Sequence, residues 1–226
     1  MDDSRDLRRW RLPRGRHGLP RELVIRSQRE RLLAAVVRVA AANGYASMSV
    51  ADILGEAGVG RESFYQLFSD KRDCLLAART ILVDHLETTV RSAYCGSGAW
   101  TERLRNGLAA ALEWFAADPA AARVILVELA FVGDLSRVRF HQDFQRFAKL
   151  LDEGRADSEP RPDRPRATIL AVSAGFAYIY EEVVRERTAE LPKLLPELTY
   201  ELLVPFVGEE AARSEERQAV ASLAGA

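Results

Sequence analysis

This 226-residue chain is poor in the side chains that hold metals and disulfides: it has two cysteines, two methionines and three histidines. Cys74 and Cys95 form no CxxC pair, so neither a disulfide framework nor a thiolate zinc site is expected. Free thiols in a reducing compartment are expected instead. His17, His85 and His141 are too scattered to form a metal site. No apolar run is long enough for a membrane span and no signal-peptide core opens the chain, so the expectation is a cytoplasmic protein with no membrane partner. Catalytic patterns are missing too. There is no glycine-rich phosphate loop, no nucleophile elbow and no HExxH. The pairs Glu181-Glu182 and Glu209-Glu210 are adjacent, so on a helix they diverge, which does not suit acid/base work. No enzyme activity, cofactor or catalytic residue is expected.

What is present is apolar bulk and charge. Hydrophobic residues make up 48% and charged ones 29%, enough for a sizeable core in a soluble chain. The net charge of −1 hides an asymmetry: residues 1–80 hold 15 Arg and Lys against 10 Asp and Glu, and the remainder holds 17 against 23. A basic front of this kind points toward a polyanion. Residues 1–20, "MDDSRDLRRWRLPRGRHGLP", are basic, broken by proline and glycine, and without periodicity. They read as a flexible arm. Arg14 and Arg16 suit insertion into a narrow minor groove, and a disordered solubilising tail accounts for the same composition equally well.

Beyond the arm the pattern is helical, and no strand is evident. In 21–43, Leu32, Leu33, Val36, Val37 and Ala40 form one apolar stripe, closed by Gly44. Ser49 followed by Asp52 is a capping-box pattern opening a short helix that Gly58 stops. A third helix covers about Arg61–Phe68, and Lys71 starts a longer fourth. After residue 95 come long helices, among them one capped by Asp118-Pro119. Three prolines between 154 and 166 mark a loop, Pro205 and Gly208 end the last predicted helix, and 209–226 reads as a polar, frayed tail. The fold class is all-α, with domain limits of 21–70 and 71–208.

Three short helices, the second and third joined by a glycine turn, make a helix-turn-helix whose third helix is expected in the DNA major groove. Ala57, Val59, Phe64 and Phe68 supply an apolar seam. The other face is polar: Arg61 can grip guanine with two bonds, Gln66 can do so with adenine, and Ser63 can take either role. Glu62 can accept from cytosine or simply favour the helix dipole. Tyr65 and Lys71 can hold phosphates, which position without specifying sequence. Ser49 and Gly60, which open the two helices, complete the candidate DNA-contacting set.

The run "SVADILGEAGVGRESFYQLFSDKRDCLLAA", with "RERLLAAVVRVAAANGYASMSV" before it, resembles the DNA-binding signature of the tetracycline-repressor (TetR) family over roughly residues 24–80. The matching positions are Ser49, Ile53, Ala57, Gly58, Val59, Tyr65, Phe68 and Lys71. Leu54 stands where Ala is usual, Gly60 where Ser or Thr often caps helix three, and Leu67 where His often touches a phosphate. The resemblance implies a homodimeric regulator of double-stranded operator DNA, with a helical ligand-binding and dimerisation domain after the helix-turn-helix. The sign of regulation is not written in such a motif, so a constitutive or activating regulator without a ligand stays open.

For that second domain the small and bulky residues Ile169, Ala171, Ala174, Gly175, Phe176 and Ile179, with Leu198, Leu202, Leu203 and Phe206, form the candidate dimer interface. Trp114, Phe115, Phe131, Phe144, Phe147 and Tyr178 are candidates for a pocket holding a small apolar or amphipathic ligand, with Glu128 or His141 as polar anchor. Ordinary core packing competes with both assignments.

Overall fold

The computed structural model describes residues 20–128, 142–143, 145–149, 151–152 and 167–225, and every one of its regular elements is helical. It divides into two compact units, one ending at Thr80 and the other starting at Ile81.

The first unit is built on α1 (Arg21–Asn43), against which α2 (Val50–Ala57) and α3 (Arg61–Leu67) both pack. The start of α4 (Lys71–Tyr94) completes it. Leu32, Leu33, Val36 and Ala40 are buried as the periodicity predicts. Ala35 and Val39 join them, while Val37 is only half-buried. Gly44, at φ 76°, ends α1 by donating its N–H to the Ala40 carbonyl at 2.9 Å. Ile53, Ala57, Val59, Phe64, Phe68, Cys74, Leu75 and Ala78 fill the interior. Burying a side chain the size of Phe64 contributes roughly 1.5–3 kcal/mol. The Cys74 thiol lies in this core, and burial pushes its pKa up to about 12, so it is inert at neutral pH.

In the second unit, α5 (Trp100–Ala117) is the central element. Against it lie α6 (Pro119–Leu126), a 3-10 turn (Thr188–Leu194), α8 (Leu195–Val207) and α9 (Glu209–Ala224). α7 (Ala167–Val184) packs on α6 and α8. Asp118 caps α6 by accepting from Ala121 N at 2.9 Å, with Pro119 in the first turn as the sequence predicts. Of the predicted helix around Phe144 and Phe147, residues 142–143, 145–149 and 151–152 are helical. Thr168 Oγ1 donates to Asp152 Oδ1 at 2.6 Å, tying this stretch to α7. The expected loop over 154–166 lies outside the described residues.

Two sequence expectations fail near the C-terminus. Pro205 does not end α8, which continues to Val207 before Gly208 turns the chain at φ 83°. Pro205 is exposed, so its missing N–H leaves a gap that water can fill. Residues 209–224 are a helix and not a frayed tail. Ala212 and Ala219, seven apart, are fully buried, and their small side chains let α9 lie close on α8. Glu215 accepts from Thr101 Oγ1 at 2.8 Å and pairs with Arg105 Nε at 3.0 Å, pinning α9 to α5. The sequence reads as polar here because two alanines among charges carry almost no hydrophobic signal.

Candidate nucleic-acid interface

Around its apolar core, the helix-turn-helix carries a set of polar contacts to backbone. At the start of α2, Ser49 Oγ accepts from Asp52 N at 3.3 Å while Ser49 N donates to Asp52 Oδ2 at 2.8 Å, a complete capping box. Ser49 Oγ also donates to Asp52 Oδ2 at 2.7 Å, and this bond, with the one from Ser49 N, holds the Asp52 carboxyl below its usual pKa of 3.8. At the other end Gly58 adopts the left-handed conformation, φ 61° and ψ 41°, and its N–H closes on Leu54 O at 2.9 Å. Two carbonyls of this turn are met by Arg31 from α1. Its guanidinium reaches Ala57 O at 2.5 and 2.9 Å and Gly58 O at 2.5 Å. A cation at a helix C-terminus also suits the helix dipole. Sequence reasoning missed Arg31, because its partners lie 26 and 27 residues away.

Gly60 opens α3 in an extended conformation with no side-chain cap, and a Cβ there would meet nothing within 4 Å. Phe64 is fully buried and stands edge-on to Tyr65, with ring centroids 5.3 Å apart. Phe68 is buried 5.9 Å from Phe64, and the Arg29 guanidinium lies 5.7 Å from its ring centroid. With the aromatic side anchored, α3 turns outward Arg61, Glu62, Tyr65 and Gln66, all exposed, with Ser63 and Leu67 half-buried. Gln66 Nε2 donates to Glu62 Oε1 at 3.4 Å, so these two candidates share one face of the helix. Tyr65 is 51% exposed, unusual for an aromatic on a helix whose other aromatic is fully buried. The surface therefore combines a cation, a carboxylate, an amide and a phenol on one rigid short helix, a set suited to base edges and phosphates. Arg21, Arg26 and Arg29 of α1 are further exposed cations of this unit.

Lys71 departs from its expected role. Its ammonium donates to the carbonyls of Tyr45 at 3.0 Å, Met48 at 2.8 Å and Ala46 at 3.5 Å, and it sits 4.7 Å from the centroid of the Tyr45 ring. Its three protons are taken up in tying the α1–α2 loop to the start of α4, which corrects the phosphate contact expected of it. Arg14 and Arg16 lie outside the described residues.

In the second unit the two sets of candidate residues exchange members. A cavity of about 80 Å³ is walled by Leu86, Val90, Tyr94 and Leu104, by Phe115 and Phe147 from the predicted pocket, and by Gly175, Phe176, Ile179 and Leu202 from the predicted interface. Its lining among the described residues is apolar apart from the Tyr94 hydroxyl. That hydroxyl accepts from Trp100 Nε1 at 2.9 Å and lies 3.3 Å from Leu151 O, to which it donates.

Trp114 is not part of this wall; its Nε1 donates to His85 Nδ1 at 3.1 Å. Glu128, 2% exposed, pairs with Arg123 Nε at 3.0 Å and is not a wall residue either. Tyr178 is 50% exposed, on the outside. Phe131, His141 and Phe144 lie outside the described residues.

The predicted interface is corrected likewise. Gly175, Ile179, Leu198, Leu202, Leu203 and Phe206 are buried within the protomer, and Ile169, Ala171 and Phe176 are half-buried. Ala174 alone of that set is exposed. The face α7 leaves open runs Leu170, Ala174, Ala177, Tyr178 and Glu181. From Ala167 to Tyr180, before Glu181 and Glu182, α7 carries no charged residue, so its composition could not say which side the protomer uses for itself.

The family model described as bacterial regulatory proteins, tetR family, matches residues 32–78, the helix-turn-helix with its flanks. A relative, an uncharacterized HTH-type transcriptional regulator in the lacX 3' region of Lactococcus lactis subsp. lactis, is 24% identical over 137 residues. The match spans 57% of this chain and 68% of the relative.

Among solved structures, the fatty acid degradation regulator FadR from Bacillus halodurans superposes with a TM-score of 0.71 at 21% identity, over 80% of this chain and 96% of that one. The transcriptional regulator FadR from Bacillus subtilis, solved in complex with stearoyl-CoA, gives 0.64 at 21% identity over 79% and 98%. A tetR-family regulatory protein from Rhodococcus RHA1 gives 0.62 at 18% identity over 77% and 96%. Residues 32–78 thus carry a tetR-type helix-turn-helix, and the all-helical fold around it is similar to that of such regulators.

Proposed function

We propose that this protein is a homodimeric repressor that reads a palindromic operator through α3 and releases it when an apolar-chain ligand occupies the cavity of its second unit. The observation that carries the DNA half is the exposed polar face of α3, backed by the buried Phe64 and Phe68. Arg61 and Gln66 are the base readers in this proposal, with Ser63 and Glu62 beside them. Tyr65 holds a phosphate, Ser49 and Gly60 bring the helix starts to the backbone, and Arg14 and Arg16 reach the minor groove. Two such helices related by a two-fold axis meet successive major grooves when spaced roughly 34–36 Å.

The dimer half rests on the exposed apolar stripe of α7, because an apolar helix face left open to water is unfavourable unless something covers it. The ligand half rests on the apolar cavity wall, supported by the stearoyl-CoA complex of the B. subtilis FadR, whose fold this chain shares. An apolar interior with the Tyr94 hydroxyl already satisfied suits a hydrocarbon chain whose polar end lies outside. Ligand release follows if the occupied form has lower affinity for the operator than the empty form.

The test is operator binding to the protein's own upstream DNA across a salt series. Arg61→Ala with Tyr65→Ala should abolish specific binding, and deletion of residues 1–18 should flatten the salt slope. Wild-type affinity in the double variant would sink the assignment of α3. Palmitoyl-coenzyme A should raise the melting temperature and weaken operator binding. A melting shift without loss of DNA would make the protein a ligand binder but not a ligand-released repressor.

A further inference from the structure

We propose that Gly107 and Gly175 set the length of apolar chain the cavity admits, an inference that rests on reading that cavity as the ligand site. Both glycines stand in the wall, one inside α5 and the other inside α7. Glycine is the poorest helix former after proline, so two in the interiors of 18-residue helices need a reason.

Neither the backbone nor close packing supplies one. Neither residue has a positive φ. A Cβ built on Gly107 would lie 3.4 Å from Tyr94 Cβ, 3.5 Å from Tyr94 Cδ2 and 3.6 Å from Val90 Cγ1. On Gly175 it would lie 3.7 and 3.9 Å from the two methyls of Leu202. These are ordinary contacts, and alanine fits at both positions. Gly98 makes the contrast: at φ 130° it holds a backbone conformation that side chains rarely adopt, so there the geometry does demand glycine.

What alanine would change at 107 and 175 is the space. Tyr94, Val90 and Leu202, the residues each added methyl would meet, are themselves wall residues. The free volume of about 80 Å³ is small. It accommodates roughly three water-sized groups at liquid density, so a methyl or two is a large fraction of it. An apolar cavity of this kind stays dry and takes apolar guests, and an unbranched acyl chain is the guest whose fit is graded in single methylenes. The two glycines thus give up helix stability and leave room for chain.

The experiment uses the full-length protein, Gly107→Ala, Gly175→Ala and the double variant. Each is melted without ligand and titrated with hexanoyl-, decanoyl- and palmitoyl-coenzyme A and with the matching free acids. The ligand-free variants are expected to melt at or above the wild-type temperature. Their affinity for the longest chain that wild type binds should fall by about fourfold for each methylene displaced, with the shortest bound chain unaffected. Wild-type affinities across the series would overturn the inference and leave the cavity reading standing. Variants that melt below wild type would also overturn it, because the scaffold would then need the glycines. A wild type that binds none of the probes would overturn the cavity reading and this inference with it.

Discussion

Lys71 and Arg31 do related work in the helix-turn-helix, each sending a cation from a long helix onto carbonyls of a turn some 25 residues away in sequence. Carbonyls left without a donor in a half-buried turn are costly, and charge-assisted hydrogen bonds are among the stronger ones. Lys71→Met should therefore lower stability by about 1–3 kcal/mol, read as an earlier urea midpoint. The salt dependence of DNA binding should keep its slope. A lysine held on a phosphate would behave the opposite way, with little loss of stability and a slope reduced by about one. Gly58 is the other residue that geometry dictates. Its left-handed conformation, with Arg31 Nη2 only 3.0 Å from a would-be Cβ, makes Gly58→Ala costly by about 1–2 kcal/mol. Chemical denaturation checks this directly. The role of Gly58 was legible in the sequence, since a glycine between two short apolar helices marks the turn that joins them. The partners of Lys71 and Arg31 were not, because a cation's partner depends on where the chain returns.

At the scale of the element, α2 and α9 illustrate opposite degrees of legibility. The capping box of α2 is local, and Ser49 with Asp52 announced it three residues apart. Because Asp52 has a lowered pKa in the folded protein, its contribution is present above its ordinary value of 3.8 and is lost as pH falls through the lower folded value. Thermal melts of wild type should therefore weaken in acid more steeply than those of Asp52→Asn, measured against one another from neutral pH down to pH about 2. For α9 the helical signal was spread over many weak choices. Glu209 and Glu210 suit the N-terminal dipole, and Arg213 lies 3.1 Å from Glu216 and 4.5 Å from the Tyr200 ring centroid. Each of these is worth only tenths of a kcal/mol in isolation. The helix forms because Ala212 and Ala219 find a surface to pack on. Ala212→Leu should push α9 away from that surface, lowering stability by about 1–3 kcal/mol, and rapid amide exchange in residues 209–224 would report the loosened helix.

For the whole molecule, the decisive feature is the uncovered side of α7. Mean hydropathy marks this helix as apolar enough to span a bilayer, yet only 28% of it is buried in the protomer. A second copy of the chain is the proposed cover, and the small Ala174 and Ala177 would let two such helices approach closely. Leu170→Glu combined with Ala174→Glu should give a monomer in sedimentation, with the helical signal kept and operator affinity lost. A dimer that survives the pair of carboxylates would place the interface elsewhere.

What the sequence determined by itself was everything written in short-range patterns: the all-helical class, the helix-turn-helix between Ser49 and Lys71, its caps and turn, and the polar face of α3. Those features follow from helical periodicity and from residue pairs three or four apart, so folding adds little information to them. The tertiary structure decided which sides of the apolar helices face inward. It moved Gly175, Phe176, Ile179 and Leu202 from an expected interface to the wall of a cavity, put Tyr178 outside, and left Ala174 on the open face. Burial of an apolar side chain lowers the free energy about equally wherever the apolar partner comes from. A helix uncharged over most of its length therefore carries no mark of which side meets its own chain, and only the packed arrangement assigns it.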